Sequence, residues 1–192
     1  MVATPYTLED YVSDLRKIVS QETNDEKITA RVRRWAQKFA GNPNCIRDEF
    51  GECDEEQGFG VHLLHEEENH DLAVFAIAWL PDRGTLAHDH KTWAVVVGIH
   101  GQEKETDWNG LDDGTRPGFA ELECKGERVM TAGDVSTCLP NHIHTVWNVG
   151  KDVSMSLHTY GRHINFTGRS EFDPAKNEQR PLIVNVAEGI DH

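Results

Sequence analysis

The sequence Gly84-Thr-Leu-Ala-His88-Asp-His90-Lys-Thr-Trp93 contains two histidines two residues apart, just after an apolar run and a Pro-Asp-Arg-Gly turn. In a β-strand, the side chains of residues i and i+2 point to the same face. His88 and His90 can therefore direct two imidazoles at one point, and a third ligand from elsewhere would complete a metal site. The pair is also compatible with two polar residues at the end of a strand, so the rest of the chain has to distinguish these interpretations.

The charge and composition exclude several classes of function. The chain has 192 residues, with 19 Lys and Arg against 33 Asp and Glu, and a net charge of -14. This acidic balance argues against nucleic acid as a partner, because nucleic-acid binding requires a basic face. No run of about 20 apolar residues is present, which predicts no membrane span. The N-terminus lacks a signal pattern, so we expect a cytoplasmic protein. Its cysteines form no Cys-x-x-Cys motif and are expected to be reduced: Cys45, Cys53, Cys124 and Cys138.

The first 42 residues show helical periodicity. Apolar residues recur at three- and four-residue spacing from Thr7 to about Glu22, and Thr7 with Asp10 resembles a capping box. A second apolar stripe runs from about Asp25 to Ala40, and the Gly41 that follows is a typical stop signal. The pattern predicts two helices, each with one face in the core.

After residue 43 the pattern changes to short apolar segments separated by turn signals such as Asn109-Gly110 and Lys125-Gly126. Many short strands at this spacing predict a barrel or jelly roll behind the helical pair. We expect one domain over residues 1–192, with a helical segment at about 1–42 and a β-barrel at about 58–190. The candidate strands are 61–64, 71–80, 93–100, 121–123, 128–131, 135–139, 144–148, 153–160 and a last one at 182–186.

Two conserved motifs of the cupin family are similar to segments of this chain. Gly84, His88, His90 and Gly101 resemble the first cupin motif, and the second motif resembles Gly133, Pro140, His144 and Asn148. The resemblance implies a mainly β fold, a cupin (double-stranded β-helix or jelly-roll barrel), with His88, His90 and His144 as metal ligands. The glutamate that cupins carry about four residues after His90 is replaced by Ala94. His142 alternates with His144 but lies outside the motif position, and we interpret it as a polar loop residue.

Three histidines without a carboxylate restrict the chemistry of such a site. Neutral imidazoles suit zinc, iron, copper or nickel. They leave Fe(II) with its full double charge and with open coordination positions. A site of this kind favours substrates that bring their own anionic ligand, for example a thiolate.

A second polar pattern follows in Ser156-Leu-His158-Thr-Tyr160, where the hydroxyl, imidazole and phenol alternate along one face of a predicted strand. Such a line can form a hydrogen-bond relay that fixes the phenol. Ser-x-His-x-Tyr downstream of the histidine motifs resembles the thiol dioxygenases over roughly residues 60–173. His-Asp-His-x-x-Trp is most similar to their bacterial 3-mercaptopropionate dioxygenase branch.

This resemblance implies a mononuclear Fe(II) cofactor on His88, His90 and His144. It implies further that Ser156, His158 and Tyr160 are catalytic residues and that an arginine near the end of the barrel grips the substrate carboxylate. Nine residues past Tyr160 stands Arg169, which is the expected substrate-binding arginine, with Arg162 as a competitor.

The chain departs from the family at two positions. Mammalian-type cysteine dioxygenases carry a cysteine, cross-linked to the active-site tyrosine, where this chain has Trp93-Ala94-Val95, so that cross-link cannot form. They also carry an arginine 26 residues before the first iron ligand, replaced by glutamine in the mercaptopropionate branch. His62 stands there, either as a substrate-binding residue or as a polar residue at the start of a strand.

We therefore expect an Fe(II)- and O2-dependent enzyme that converts a small thiol, 3-mercaptopropionate, to its sulfinic acid. The expected partners are a small-molecule thiol and O2, with no nucleic acid and no membrane. One alternative is a different thiol, either cysteine or a heteroaromatic thiol. Another is a non-oxidative cupin acting as a lyase or isomerase, with Tyr160 or His62 as general base, or as a sensor without catalysis. The sequence does not address the oligomeric state.

Overall fold

The computed structural model describes residues 5–42 and 48–187, and both predicted helices are confirmed there. Helix α1 spans Leu8–Gln21, and Thr7 and Asp10 form the reciprocal capping box at its start. Helix α2 spans Asp25–Ala40 and is capped by the side chain of Asn24. Because each cap satisfies backbone N–H groups that the first helical turn leaves free, both helices begin where the sequence indicates.

Eleven strands follow within the described residues, arranged in two antiparallel sheets of order β1-β2-β9-β4-β7 and β11-β10-β3-β8-β5-β6. This arrangement is the double-stranded β-helix, and it confirms the predicted cupin fold. The strands are β1 (Phe59–Glu66), β2 (Asp71–Trp79), β3 (Ala87–His88), β4 (Ala94–His100), β5 (Glu103–Gly110), β6 (Leu122–Met130), β7 (Val135–Cys138), β8 (Ile143–Asn148), β9 (Ser154–Arg162), β10 (Ser170–Asp173) and β11 (Glu178–Pro181).

Strand β4 shows why its sequence is almost continuously apolar. Val95 and Val97 pack with the helices in one buried cluster, whereas Ala94 packs with Tyr160 in a second cluster inside the barrel. Successive side chains of a strand point to opposite faces. Both faces of this sheet are therefore buried, one under α1 and α2 and the other against the second sheet.

Several predicted strand boundaries were wrong. Segments 121–123 and 128–131 belong to one strand, β6, which passes through Lys125 and Gly126 with an irregular register opposite Asp107 and Trp108. The long antiparallel pairing with β5 holds this segment extended through the predicted turn. Strands β3, β5, β10 and β11 were missed, because they are very short or rich in charged residues.

The predicted last strand at 182–186 is also wrong. This segment crosses the barrel as an extended strap, in which Leu182 N–H donates to the Arg169 carbonyl (3.0 Å) and Ala187 N–H donates to the Val61 carbonyl (2.8 Å). Its apolar side chains Leu182 and Val184 face the barrel interior. The strap therefore forms part of the wall of the internal cavity.

Two other expectations concern the cysteines and the membrane. Cys53, Cys124 and Cys138 are free thiols, and Cys45 lies outside the described residues. Among the helices described, neither is long and apolar enough to cross a membrane.

Candidate metal centre

The three predicted ligands come together inside the barrel. His88 on β3 lies directly opposite His144 on β8 in the strand register, and His90 follows two residues after His88. Ligand atoms of all three imidazoles lie within 4.8 Å of one another, and Nε2 of His90 is 3.4 Å from Nε2 of His144. The three side chains are buried. This triad is the right size and shape to hold one metal ion.

Hydrogen bonds fix which ring nitrogens face the centre of the triad. His88 Nδ1 lies 3.1 Å from the Leu86 carbonyl, and His144 Nδ1 lies 2.7 Å from Oε1 of Glu105. Because a carbonyl and a carboxylate accept but do not donate, each Nδ1 carries the hydrogen, which leaves Nε2 as the lone pair for a metal. Metal ligands of this kind usually have such a partner, so the residues present fit a metal ion.

The three ligand candidates differ in protonation in the absence of a metal ion. Burial, and then the neighbouring His144, hold the pKa values of His88 and His90 well below the usual range, so both rings are neutral. Burial lowers the pKa of His144 as well, but Cys138 and Glu105 more than offset this and raise it to about 10. A divalent cation at Nε2 competes with that proton, whereas the Nδ1 hydrogen bond to Glu105 is unaffected.

Glu105 on β5 contacts the triad through Nδ1 of His144, on the side of that ring away from the other two histidines. Its carboxylate accepts hydrogen bonds from His144, from the Ser136 hydroxyl (2.8 Å) and from Arg128 Nε (2.8 Å). Burial raises the pKa of Glu105, but His144, Arg128 and Ser136 together hold it below its usual range. Sequence reasoning missed this residue because β5 was not recognised as a strand. The sequence feature that could have indicated it is the alternation of Glu103 and Glu105, which places both carboxyl groups on one face of a strand.

The predicted relay is present on β9. Ser156 Oγ lies 2.9 Å from Nε2 of His158, and His158 Nδ1 lies 2.9 Å from the Tyr160 hydroxyl. The Tyr160 ring packs against the candidate ligand His90, with ring centroids 5.1 Å apart. Burial lowers the pKa of His158 to about 3 and raises that of Tyr160, so the imidazole and the phenol are both neutral.

A second carboxyl group, also missed from the sequence, continues this line. Ser156 Oγ lies 2.9 Å from Oε2 of Glu103 on β5, and Trp79 Nε1 donates to the same hydroxyl at 3.4 Å. Burial raises the pKa of Glu103 to about 7. The polar line thus runs from Glu103, through the barrel interior, to Tyr160 beside the triad.

An internal cavity joins the triad to the other predicted residues. Arg169, His158 and Tyr160 line it together with the three ligand histidines. The rest of its wall is almost entirely apolar, formed by Phe59, Val61, Ile77, Trp79, Thr85, Val146, Ile164, Leu182 and Val184. A cavity with few polar groups excludes water and strengthens the electrostatic interactions inside it.

Arg169 is the cation of this cavity wall. Its side chain is only 4% exposed, and within the described residues its Nε and Nη2 have no hydrogen-bond partner. The nearby Asp89 carboxylate is already bound by Lys91 Nζ (2.8 Å) and by the Ser170 N–H (2.9 Å). A buried guanidinium without a paired anion is costly, so this site favours an anionic ligand.

Three predicted candidates do not line the cavity, namely Ser156, His62 and Arg162. Nε2 of His62 lies 2.8 Å from the Glu52 carbonyl, outside the cavity wall. Arg162 pairs with Asp71 at 2.9 Å near the surface. His142, interpreted from the sequence as a polar loop residue, pairs with Asp107 at 2.7 Å, and its ring centroid lies 5.5 Å from that of His144.

Ala94 has a defined place beside the tyrosine. It lies opposite Tyr160 on β9 and opposite Cys138 on β7 in the strand register. Its methyl group therefore lies in the same buried cluster as the Tyr160 side chain, on the barrel-facing side of the sheet.

No family model matches the chain. Among solved structures it is similar to an oxalate oxidase in complex with the substrate analogue glycolate, at 17% identity, covering 64% of this chain and 62% of that one, with a TM-score of 0.45. It is also similar to a conserved protein with a double-stranded beta-helix domain from Klebsiella pneumoniae subsp. pneumoniae, at 13% identity, with coverages of 67% and 91% and a TM-score of 0.49. A third is KdgF from Halomonas sp., at 14% identity, with coverages of 62% and 94% and a TM-score of 0.45. The chain spans less than two thirds of the oxalate oxidase, and these likenesses concern the fold and not the activity.

Proposed function

We propose that this protein is an Fe(II)-dependent thiol dioxygenase that converts a small carboxylated thiol, 3-mercaptopropionate, to its sulfinic acid with O2. The balance is one thiol plus one O2 giving one sulfinic acid, with both oxygen atoms on sulfur. The observation that carries the proposal is the cavity shared by the three-histidine triad, the Tyr160 phenol and Arg169, whose Nε and Nη2 have no hydrogen-bond partner among the described residues.

The donor set is compatible with iron, and the proposed oxidation by O2 is the reason for choosing it over zinc or nickel. Three imidazoles and no carboxylate suit a mononuclear Fe(II), which when bound would supply the redox chemistry between a thiol and O2. His88, His90 and His144 would hold the metal through Nε2, since two of their Nδ1 atoms already donate to Leu86 and Glu105.

Arg169 would orient the substrate. Its buried fork can bind a carboxylate through two parallel hydrogen bonds, which fixes the distance from the carboxylate to the sulfur. The net charge of -14 repels anions in general, so a carboxylated thiol needs such a local cation.

Tyr160 would act on the reacting atoms. Its phenol is held by His158 Nδ1 at 2.9 Å and packs on the ligand His90. A fixed hydroxyl at this place can hydrogen-bond to an anionic atom bound beside the metal without reorganisation during the reaction. The apolar remainder of the wall keeps bulk water away.

The test is to incubate iron-loaded protein with a panel of thiols and to follow O2 uptake together with sulfinate by mass. The panel contains 3-mercaptopropionate, L-cysteine, 2-mercaptoethanol and a heteroaromatic thiol. We expect kcat/KM to be highest for 3-mercaptopropionate. Oxygen uptake without sulfinate, or a protein that retains zinc or nickel and consumes no O2, would reject the proposal.

Two arginine variants test the carboxylate role. Arg169→Ala should lower kcat/KM for 3-mercaptopropionate by about ten- to a thousandfold, the scale of losing about 1.5 to 4 kcal/mol of charged hydrogen bonding. The uncharged 2-mercaptoethanol should be affected much less. Arg162→Ala is the matched control, because its guanidinium pairs with Asp71 near the surface. Equal losses for both thiols in Arg169→Ala would exclude this role.

A further inference from the structure

We propose that Glu103 is a positioning residue that completes the line of Ser156, His158 and Tyr160 and sets the direction of its hydrogen bonds. Protonated Glu103 makes the Tyr160 hydroxyl a donor to the metal cavity, and ionised Glu103 makes it an acceptor. The consequence for turnover rests on the proposed thiol dioxygenation, whereas the direction of the hydrogen bonds does not.

The line is unbroken and buried. The three contacts from Glu103 Oε2 to Ser156 Oγ, from Ser156 Oγ to His158 Nε2 and from His158 Nδ1 to Tyr160 Oη are each 2.9 Å long. None of the four side chains is more than 5% exposed. Such short contacts in a low-dielectric interior form a cooperative network.

The chemistry of the two middle groups allows only two arrangements. A neutral imidazole has one N–H and one lone pair, and a serine hydroxyl has one O–H to donate. If Glu103 is ionised it can only accept, so Ser156 donates to it, His158 donates from Nε2 and Tyr160 donates into His158 Nδ1. If Glu103 is protonated it donates to Ser156, every hydrogen bond reverses, and the Tyr160 hydroxyl is free to donate to the cavity.

The surroundings of Glu103 make both forms accessible near neutral pH. Burial and, to a smaller extent, the charge of Glu105 raise its pKa to about 7, against the opposing effect of the Ser156 and Ser154 hydroxyls. No cation pairs with it within the described residues, since Arg128 is bound to Glu105.

The remaining elements packed against Glu103 offer it no ion-pair partner within the described residues. Its register partners are Met130 on β6 and Asn148 on β8, and Val96 of β4 lines the same small cavity. His144 of β8 also lines that cavity, and its raised pKa makes it a cation without a metal, but its partner is Glu105. His158 of β9 is kept neutral by burial.

The same line can move one proton. Glu103 gives its proton to Ser156 Oγ, Ser156 gives its own to His158 Nε2, His158 gives the Nδ1 proton to Tyr160, and Tyr160 gives its hydroxyl proton to an anionic acceptor in the cavity. Only O–H and N–H bonds break and form. The transfer leaves Glu103 ionised and reverses the three hydrogen bonds of the line as well as the fourth, between Tyr160 and the acceptor. A proton from solvent must therefore return to Glu103 before a second transfer.

The test uses nitrogen-15 NMR of labelled histidine in the zinc-loaded protein, which is diamagnetic and performs no oxidation. The His158 signals are identified by their loss in His158→Asn. Over about two pH units on either side of neutral, we expect His158 to change from the Nδ1–H to the Nε2–H tautomer as pH rises. This change should disappear in the isosteric variant Glu103→Gln and remain in Glu123→Gln, which removes an exposed carboxyl group.

Two results would overturn the inference. One is a single His158 tautomer across this pH range in the wild-type protein, which needs no variant to fold. The other is a tautomer change that persists in Glu103→Gln. If the His158 tautomer changes with pH but the protein oxidises no thiol, the inference about Glu103 is supported and the proposed dioxygenation is rejected. The two hypotheses can therefore fail separately.

Discussion

Glu103 and Glu105 are two residues apart on the same strand and are both buried, but their pKa values are shifted in opposite directions. Glu105 is matched by His144, Arg128 and Ser136, and its pKa lies below the usual range. Glu103 meets serine hydroxyls and no cation in the described part of the chain, and its pKa is raised to about 7. The partners, and not burial or strand position, decide whether each carboxyl group is a fixed charge or a proton carrier.

The difference divides the cavity into two halves. The half behind Glu105 is charged and hydrogen-bonded, and it contains the histidines that would bind a metal. The half behind Glu103 is neutral and can exchange protons, and it ends at the phenol of Tyr160. The following variants test each half separately.

The largest effect is expected from His90→Ala, which removes one of the three candidate metal ligands. Two imidazoles rarely hold Fe(II) against water, so iron content per chain should fall to background and activity should vanish. Metal analysis after iron loading measures this. His142→Ala is the control, because it removes a neighbouring imidazole that pairs with Asp107 and is not one of the three ligand candidates. Iron content near that of the wild type in His90→Ala would remove it from the ligand set.

Tyr160→Phe removes the hydroxyl group at the end of the hydrogen-bonded line that starts at Glu103. The variant should keep its iron and fold but turn over about a hundredfold more slowly, because one fixed hydroxyl is lost from the reacting site. Tyr11→Phe is a matched control, since the Tyr11 hydroxyl bonds Thr159 at 2.7 Å on the helix-facing side of the same strand. A wild-type rate in Tyr160→Phe would assign the relay a purely structural role. Intact-mass and peptide analysis should also show an unmodified Tyr160.

Glu105→Gln weakens the metal half without removing a ligand. The partner that orients His144 loses its charge, and such changes typically lower metal affinity by about 10- to 100-fold. Competition with a chelator gives the Kd. Glu127→Gln, an exposed carboxylate that pairs with Lys104 at 3.1 Å, is the control. An unchanged Kd would mean that the Glu105 charge does not support the site.

The smallest effect is expected on the pH dependence of stability in Glu103→Gln. The folded pKa of about 7 exceeds the ordinary value of 4.5, so the folded protein binds the proton more tightly than the unfolded chain. The free energy of unfolding therefore decreases as the pH rises from about 4.5 to about 7, because the unfolded chain loses the Glu103 proton before the folded protein does. Relative to wild type, Glu103→Gln should gain of order 2 kcal/mol in free energy of unfolding between about pH 5 and about pH 8. Parallel urea-unfolding curves for the two proteins across this range would contradict the assignment.

Local patterns predicted much of the fold. The helices depend on caps and apolar stripes that are encoded within a few residues, and both were correct to within a residue. Strand β5 was missed because Glu103-Lys-Glu-Thr-Asp is highly charged and has no apolar alternation. Its extended form depends on pairing with β6 and β8, which is information from distant parts of the chain.

The site shows the same limit. His88, His90 and His144 stand in motifs whose spacing brings them together, and the alternation of Ser156, His158 and Tyr160 predicted a common face that the hydrogen bonds bear out. His62 was selected by counting residues, but the Glu52 carbonyl holds its ring away from the cavity. Glu103 and Glu105 have no motif at all, because their roles arise from strands that meet only in the folded barrel.

The strap of residues 182–187 has a consequence for how the cavity can open. Leu182 and Val184 complete the cavity wall, and the Leu182 N–H donates to the carbonyl of Arg169 itself. Residues 182–186 belong to neither sheet, so moving them breaks no strand pairing between the named strands of the barrel. This part of the wall can therefore open by local unfolding, at a lower free energy than the sheets around the triad.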